Sequence, residues 1–253
     1  MRIGTFCAFA FTVFSVFACK HVSQDPSSEK VIIGNDDFVA VNSDGSNIPE
    51  EYRSLIRATG YLDSGCTVTH IGNGLVLTAG HCLAPNEIFP NDPEQCLPGR
   101  SIQFGIFKDG ITGPKATCIK RLYAQLNNTR DVALLHADKF PSEKVDVEID
   151  STPAPETQIT LFGHPDGRPL QWSKYCSLIV LKYCNTKDAF GFLCDSLPGS
   201  SGSLLLSADK SRPLGIGVLV GPIREEDKNC ASRITGNEAS EKIKFFKKKY
   251  NNL

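Results

Sequence analysis

Apolar positions along this chain fall in short runs separated by Gly, Pro, Asp and Asn, with little helical periodicity until the C-terminus. The clearest runs are Leu75–Thr78, Ser101–Phe107, Asp131–Leu135, Gln158–Phe162, Leu178–Leu181, Ser203–Leu206 and Gly215–Val220. Runs this short, bounded by turn formers, predict strands, and a succession of them indicates a sandwich or a barrel. Lys108-Asp109-Gly110 predicts a hairpin tip between strands near 101–107 and 115–121. The period then changes. Ala239, Ile243, Phe246 and Tyr250 recur at intervals of three and four, which predicts one amphipathic helix over 238–250. Lys247, Lys248 and Lys249 crowd its last turn, where cations complement the helix dipole and face solvent. Pro141–Pro155 is polar, proline-bearing and weakly patterned, and so predicts a linker. There is no internal repeat.

Composition narrows the class. The 253 residues carry a formal net charge of −1, with a pI near 6.5, so no field favours nucleic acid. With 21 Gly, 15 Pro and 22% charged residues, the chain suits a turn-rich globular fold large enough for a substantial core. Arg2 followed by the uncharged, mostly apolar stretch Ile3–Ala18 has the shape of a secretory signal peptide over residues 1–18. Residues 19–31 then form a leader or tether. Val16-Phe17-Ala18-Cys19 also resembles a bacterial lipobox, so free secretion and lipidation at Cys19 both stay open. Either way the protein is expected to be exported, as a monomer whose one membrane contact would be a lipid on Cys19. Beyond Cys7 and Cys19, eight cysteines remain, an even number that reads as disulfides in an exported chain. No C-x-x-C pair supports a metal, and none is expected.

The candidate chemistry begins at Leu197-Pro198-Gly199-Ser200-Ser201-Gly202-Ser203. A serine flanked by glycines on a tight turn can present its hydroxyl to a carbonyl carbon. Of the three serines, only Ser201 has glycine at both −2 and +1. The N–H groups of Gly199 and Ser201 could together hold an oxyanion. Gly/Ser turns are common, so a base and an acid are needed. Thr78-Ala79-Gly80-His81-Cys82 follows an apolar run, and Asp131-Val132-Ala133-Leu134-Leu135 starts another with a carboxylate. A buried carboxylate needs strong donors. An imidazole N–H is one such partner for Asp131, and the neighbouring Arg130 is the alternative. His21, His70, His136 and His164 lie outside any such motif and read as leader, packing or surface residues.

The stretch Gly65–Cys82 resembles the histidine region of chymotrypsin-like (trypsin-fold) serine proteases, and Asp131–Leu135 resembles that family's aspartate motif. The order His81, Asp131, Ser201 is also the family's order. The resemblance covers the chain from about Ile32 to the C-terminal helix. It implies an all-β fold of two six-stranded antiparallel barrels with the site between them: barrel one over about 32–140, a linker over about 141–155, barrel two over about 156–236, then the helix. Gly-Ser-Ser-Gly-Ser at 199–203 and Phe162-Gly163-His164-Pro165-Asp166-Gly167 are similar to the bacterial branch that includes glutamyl endopeptidases. The resemblance implies a Cys66–Cys82 disulfide. Cys96 and Cys118 flank the expected hairpin and form the second expected pair. Cys176–Cys194 and Cys184–Cys230 are the favoured pairs among the last four, whose connectivity sequence does not fix.

The implied activity is peptide-bond hydrolysis through Ser201, His81 and Asp131, with an oxyanion hole from Gly199 and Ser201 and no cofactor, acting on protein or peptide substrates. A catalytically silent homologue that binds peptides, and an esterase using the same residues, are the rival readings. Asp195 lies six residues before Ser201, where trypsin-like enzymes carry the acid of the primary pocket, which implies cleavage after Arg or Lys; a similar Asp-Ser/Thr stretch in some glutamyl endopeptidases keeps a structural role open as the alternative. Gly215-Ile216-Gly217 lacks the histidine of the glutamate-binding segment, and Leu219 and Val220 are expected to narrow the pocket. Lys30-Val31-Ile32-Ile33-Gly34 resembles a zymogen cleavage point. Ser200, however, stands where that family's activating ion pair needs an acid. Either the oxyanion loop is ordered without cleavage or the freed amine pairs with another acid, of which Asp195 is nearest in sequence; the first is expected, so that cleavage before Ile32 trims a leader and does not switch activity on.

Overall fold

The computed structural model describes residues 32–33, 35–83, 95–96, 99–127, 130–179, 188–208, 212–222 and 228–251. The expected signal peptide, the leader and Cys184 lie outside the described residues. Strand β1 (Val39–Ala40) and a short helix α1 (Glu50–Arg53) precede the first barrel. That barrel comprises β2 (Thr59–Leu62), β3 (Cys66–Gly72), β4 (Leu75–Thr78), β5 (Ser101–Phe104), β6 (Lys115–Leu126) and β7 (Asp131–Ala137). It closes in the order β2-β3-β4-β7-β6-β5, every pair antiparallel.

The second half contains β8 (Gln158–Gly163), β9 (Gln171–Trp172), β10 (Cys176–Ile179), β11 (Ala189–Phe192), β12 (Leu204–Ser207), β13 (Leu214–Pro222) and β14 (Asn229–Arg233). The ring β8-β10-β11-β14-β13-β12 is shut by pairing between β12 and β8, which makes a second six-stranded antiparallel barrel. Helix α2 (Glu238–Asn251) ends the described chain. Two six-stranded barrels and a C-terminal helix are the architecture that the resemblance implied.

Closure explains the sequence pattern. β4 and β12 are buried at every position, so they appear as continuous apolar runs and not as alternation. Barrel two encloses Ile159, Leu161, Leu178, Phe192, Leu205, Ile216, Leu219 and Ala231. The larger cluster fills barrel one and continues through Phe162, Leu204, Leu206 and Val218 into the second half, with Ala239 and Ile243 of α2 joining it.

Some expectations need correcting. The strand expected over 101–107 stops at Phe104, because Gly105 turns into the left-handed region (φ 53°). β6 runs five residues past 121, since two irregularities in its pairing with β7 hide the period of two. α1 breaks the expectation that only the C-terminus is helical. β1, which precedes barrel one in sequence, pairs with β9 on the second barrel's sheet. Cys66–Cys82, Cys96–Cys118 and Cys176–Cys194 are joined as disulfides, and Cys230 is disulfide-bonded as well.

Candidate active site

His81 sits on a 3₁₀ turn, Gly80–Cys82, that leaves the end of β4. Gly80 is required there by space: a Cβ would lie 2.1 Å from the Gln125 carbonyl oxygen and 3.0 Å from Asp131 Oδ1. Asp131 opens β7, whose pairing with β4 brings its carboxylate under the imidazole. Its Oδ1 accepts the His81 backbone N–H at 2.9 Å, and its Oδ2 lies 2.7 Å from His81 Nδ1. Only 4% of Asp131 is exposed. A carboxylate acceptor assigns the donor role to His81 Nδ1–H and leaves Nε2 on the opposite side of the ring. Arg130, the alternative partner, is engaged elsewhere, with Asp188 at 2.8 Å and Glu238 at 3.0 Å. Ser232 Oγ accepts the Asp131 backbone N–H at 2.7 Å and so anchors the strand start to barrel two. Nothing in the sequence pattern marked Ser232.

Ser201 lies on the loop between β11 and β12, and its Oγ donates to the Val220 carbonyl at 3.3 Å. Its own carbonyl accepts the N–H of Thr67 at 2.8 Å. Thr67 adjoins Cys66, whose disulfide with Cys82 runs beside the His81 ring. The start of β3 thereby ties the Ser201 backbone to the His81 turn. The sulfurs of Cys66 and Cys82 are joined to each other, so this cluster offers no thiolate to a metal.

Gly199 has φ 90°, a conformation that favours glycine, and a Cβ there would meet the His164 carbonyl oxygen at 2.5 Å. Among the described residues, the N–H groups of Gly199 and Ser201 donate to no protein acceptor. The N–H groups between and beyond them are taken: Ser200 donates to Leu197 O at 2.9 Å and Gly202 to Leu219 O at 2.9 Å. Two alternate donors left unpaired beside a serine hydroxyl form a pair suited to an anion. Ser200 is fully buried, and its Oγ accepts the Leu197 N–H at 3.3 Å.

Asp195 is placed differently from what its spacing implied. It is buried, with Oδ1 accepting the Ile33 N–H at 2.8 Å and Oδ2 accepting the Asp37 N–H at 3.1 Å. Both oxygens thus hold the segment ahead of β1. Leu219 faces the core of barrel two rather than a pocket wall. His70 and His164 are buried packing residues. His70 Nδ1–H donates to Glu143 O at 2.7 Å, while its Nε2 accepts the Gly74 N–H at 3.2 Å. Burial lowers the pKa of both histidines, that of His164 to about 4.

Comparison with known proteins bears on the family and the fold. A family model described as a trypsin-like peptidase domain matches residues 63–216, more than half of the chain, from just before β3 into β13. Among solved structures, a Glu endopeptidase in complex with MPD superposes with a TM-score of 0.66 at 19% identity, covering 86% of this chain and 100% of that one. A second, the inactive form of Rv3671c protease, gives a TM-score of 0.52 at 14% identity, over 77% of this chain and 91% of that one. At such identities the likeness is one of fold. No curated protein matches. With two closed barrels and a family model spanning most of both, the chain belongs to the trypsin-like peptidase family and has the chymotrypsin-like protease fold.

Proposed function

We propose that the protein is an exported serine endopeptidase in which Ser201 is the nucleophile, His81 the general base and acid, and Asp131 the group that orients His81. The observation that carries this reading is the Asp131 carboxylate, bound at once to Nδ1 and to the backbone N–H of His81, which fixes the orientation of the ring. Ser201 Oγ attacks the peptide carbonyl while Nε2 takes its proton, and the same proton passes to the leaving amine. Charge developing on the carbonyl oxygen meets the N–H groups of Gly199 and Ser201, which no protein acceptor occupies among the described residues. Water then hydrolyses the acyl-enzyme with His81 in the same role. Export is supported by the three disulfides joined among the described residues and by the apolar stretch Ile3–Ala18.

The Arg/Lys preference implied by Asp195 does not enter this proposal. Two backbone N–H groups already satisfy its oxygens, so the residue anchors a chain segment. The test is labelling with a fluorophosphonate followed by peptide mapping. Modification at Ser201, absent in His81→Ala, supports the nucleophile and base, and turnover of peptide amides beside that of simple esters separates the endopeptidase from an esterase. An unlabelled, folded protein would favour a silent, peptide-binding homologue.

A further inference from the structure

The loop bearing Ser201 has no charged residue beside the nucleophile, yet every backbone carbonyl from Pro198 to Ser201 is engaged. Pro198 O accepts the Asp166 N–H at 2.5 Å, and Ser200 O accepts the Ser203 N–H at 3.0 Å. Gly199 O accepts the Thr67 hydroxyl at 2.8 Å, and Ser201 O accepts the Thr67 N–H at 2.8 Å. A trans peptide holds its C=O and N–H on opposite sides. Fixing the Pro198 carbonyl against Asp166 therefore aims the Gly199 N–H away from the 164–167 turn. Fixing Gly199 O and Ser201 O against Thr67 sets the planes that flank the Ser201 N–H.

Thr67 is the shared point of this arrangement. It is fully buried, and its hydroxyl also accepts the His164 N–H at 3.0 Å, which attaches the turn to the same oxygen. Neither hydroxyl partner belongs to barrel one, in which Thr67 lies. The residue's own carbonyl is held by Thr78 Oγ at 2.8 Å, so the anchor is rooted in β3 and β4. A valine would fill the same volume and suit the strand equally well. What it would lose is one donor to Gly199 and one acceptor from His164.

Resting on the endopeptidase reading above, we propose that Thr67 is a positioning residue for the oxyanion hole. Its hydroxyl joins the Gly199 carbonyl to the His164 turn and holds the N–H groups of Gly199 and Ser201 in register, without the ion pair that Ser200 cannot make. Thr67 touches neither substrate nor the reacting atoms. Its effect belongs to the transition state, and so to kcat more than KM.

The experiment acylates the full-length protein and its variants with a p-nitrophenyl peptide ester. It measures kcat, KM and the infrared stretching frequency of the acyl carbonyl, with circular dichroism as the check on folding. Thr67→Val should lower kcat roughly 10- to 100-fold with KM within about twofold, and raise the carbonyl frequency as its hydrogen bonds weaken. Thr67→Ser, which keeps the hydroxyl, should restore most of kcat and the wild-type frequency. Should Thr67→Val fail to fold, Thr67→Ala against Thr67→Ser isolates the hydroxyl in the same way. Unchanged kcat and frequency in Thr67→Val, or equal losses in the Ser and Ala variants, would overturn the proposal. Failure of the wild-type protein to acylate would instead overturn the reading of the site as a serine endopeptidase.

Discussion

His164 shows how one residue beside the nucleophile loop ties stability to pH. Its ring is fully buried and edge-on to Tyr61, its Nδ1–H donates to Arg168 O at 3.0 Å, and burial pushes its pKa down to about 4. The ordinary value is near 6.5, so between these limits the unfolded chain binds a proton that the folded chain refuses. The neutral ring's contribution is complete above pH 6.5 and is lost progressively as pH falls to 4. The loss is about 3 kcal/mol from this group. His70 acts in the same direction, so the readout is a difference. Denaturant unfolding of His164→Gln across pH 4 to 7 should show a shallower decline than wild type. Parallel curves would show that His164 is not the group responsible. At this scale the motif residues His81, Asp131 and Ser201 stood out because glycine, cysteine and short apolar runs surround them. Thr67 and Ser232 did not, because a threonine in a strand and a serine in a strand are ordinary, and only folding reveals what their hydroxyls touch.

Among the elements, β3 and the 3₁₀ turn after β4 do most to set the site, and the Cys66–Cys82 disulfide closes the loop between them. In the chain-entropy model a loop of this size contributes about 3 kcal/mol. Helix α2 is peripheral by comparison and is capped by its own sequence. Asn237 Oδ1 accepts the Ser240 N–H at 3.2 Å, and Ser240 Oγ accepts the Asn237 N–H at 3.0 Å. Asn237→Ala should therefore cost about 1 kcal/mol of stability in denaturant unfolding, with kcat unchanged. A loss of kcat would mean that α2 supports the site more directly than its position suggests. The helix was readable from its period, with Ala239 and Ile243 buried as the stripe requires. The ends of β5 and β6 were not, because a left-handed glycine and two bulges decide them, and neither leaves a periodic trace.

For the molecule as a whole, the proposed site lies where the barrels hold one another. Asp131 reaches Ser232, Thr67 reaches Gly199 and Ser201, and Arg130 bridges Asp188 and Glu238. Each of these contacts joins the first barrel to the second half of the chain. That is why the pairing of barrels, which came from family resemblance, could not be derived from the run pattern alone. Asp195 adds the N-terminal segment to this scaffold. Asp195→Ala should lower the melting temperature while leaving the residue preference at the scissile bond unchanged in a peptide library. A selective loss of cleavage after Arg and Lys would return Asp195 to the substrate pocket. On the proposed arrangement of the oxyanion donors through neutral hydrogen bonds, a precursor with Lys30 and Val31 replaced to block cleavage should work at nearly the full rate. A precursor silent until cut would contradict that. The central claim, that Ser201 is the nucleophile of a protease, is tested most directly by kcat/KM for peptide-bond cleavage in Ser201→Ala beside Ser200→Ala. The account predicts a fall of several orders of magnitude in Ser201→Ala, with fold intact, and a much smaller one in Ser200→Ala. The reverse order, or full activity in Ser201→Ala, would contradict it.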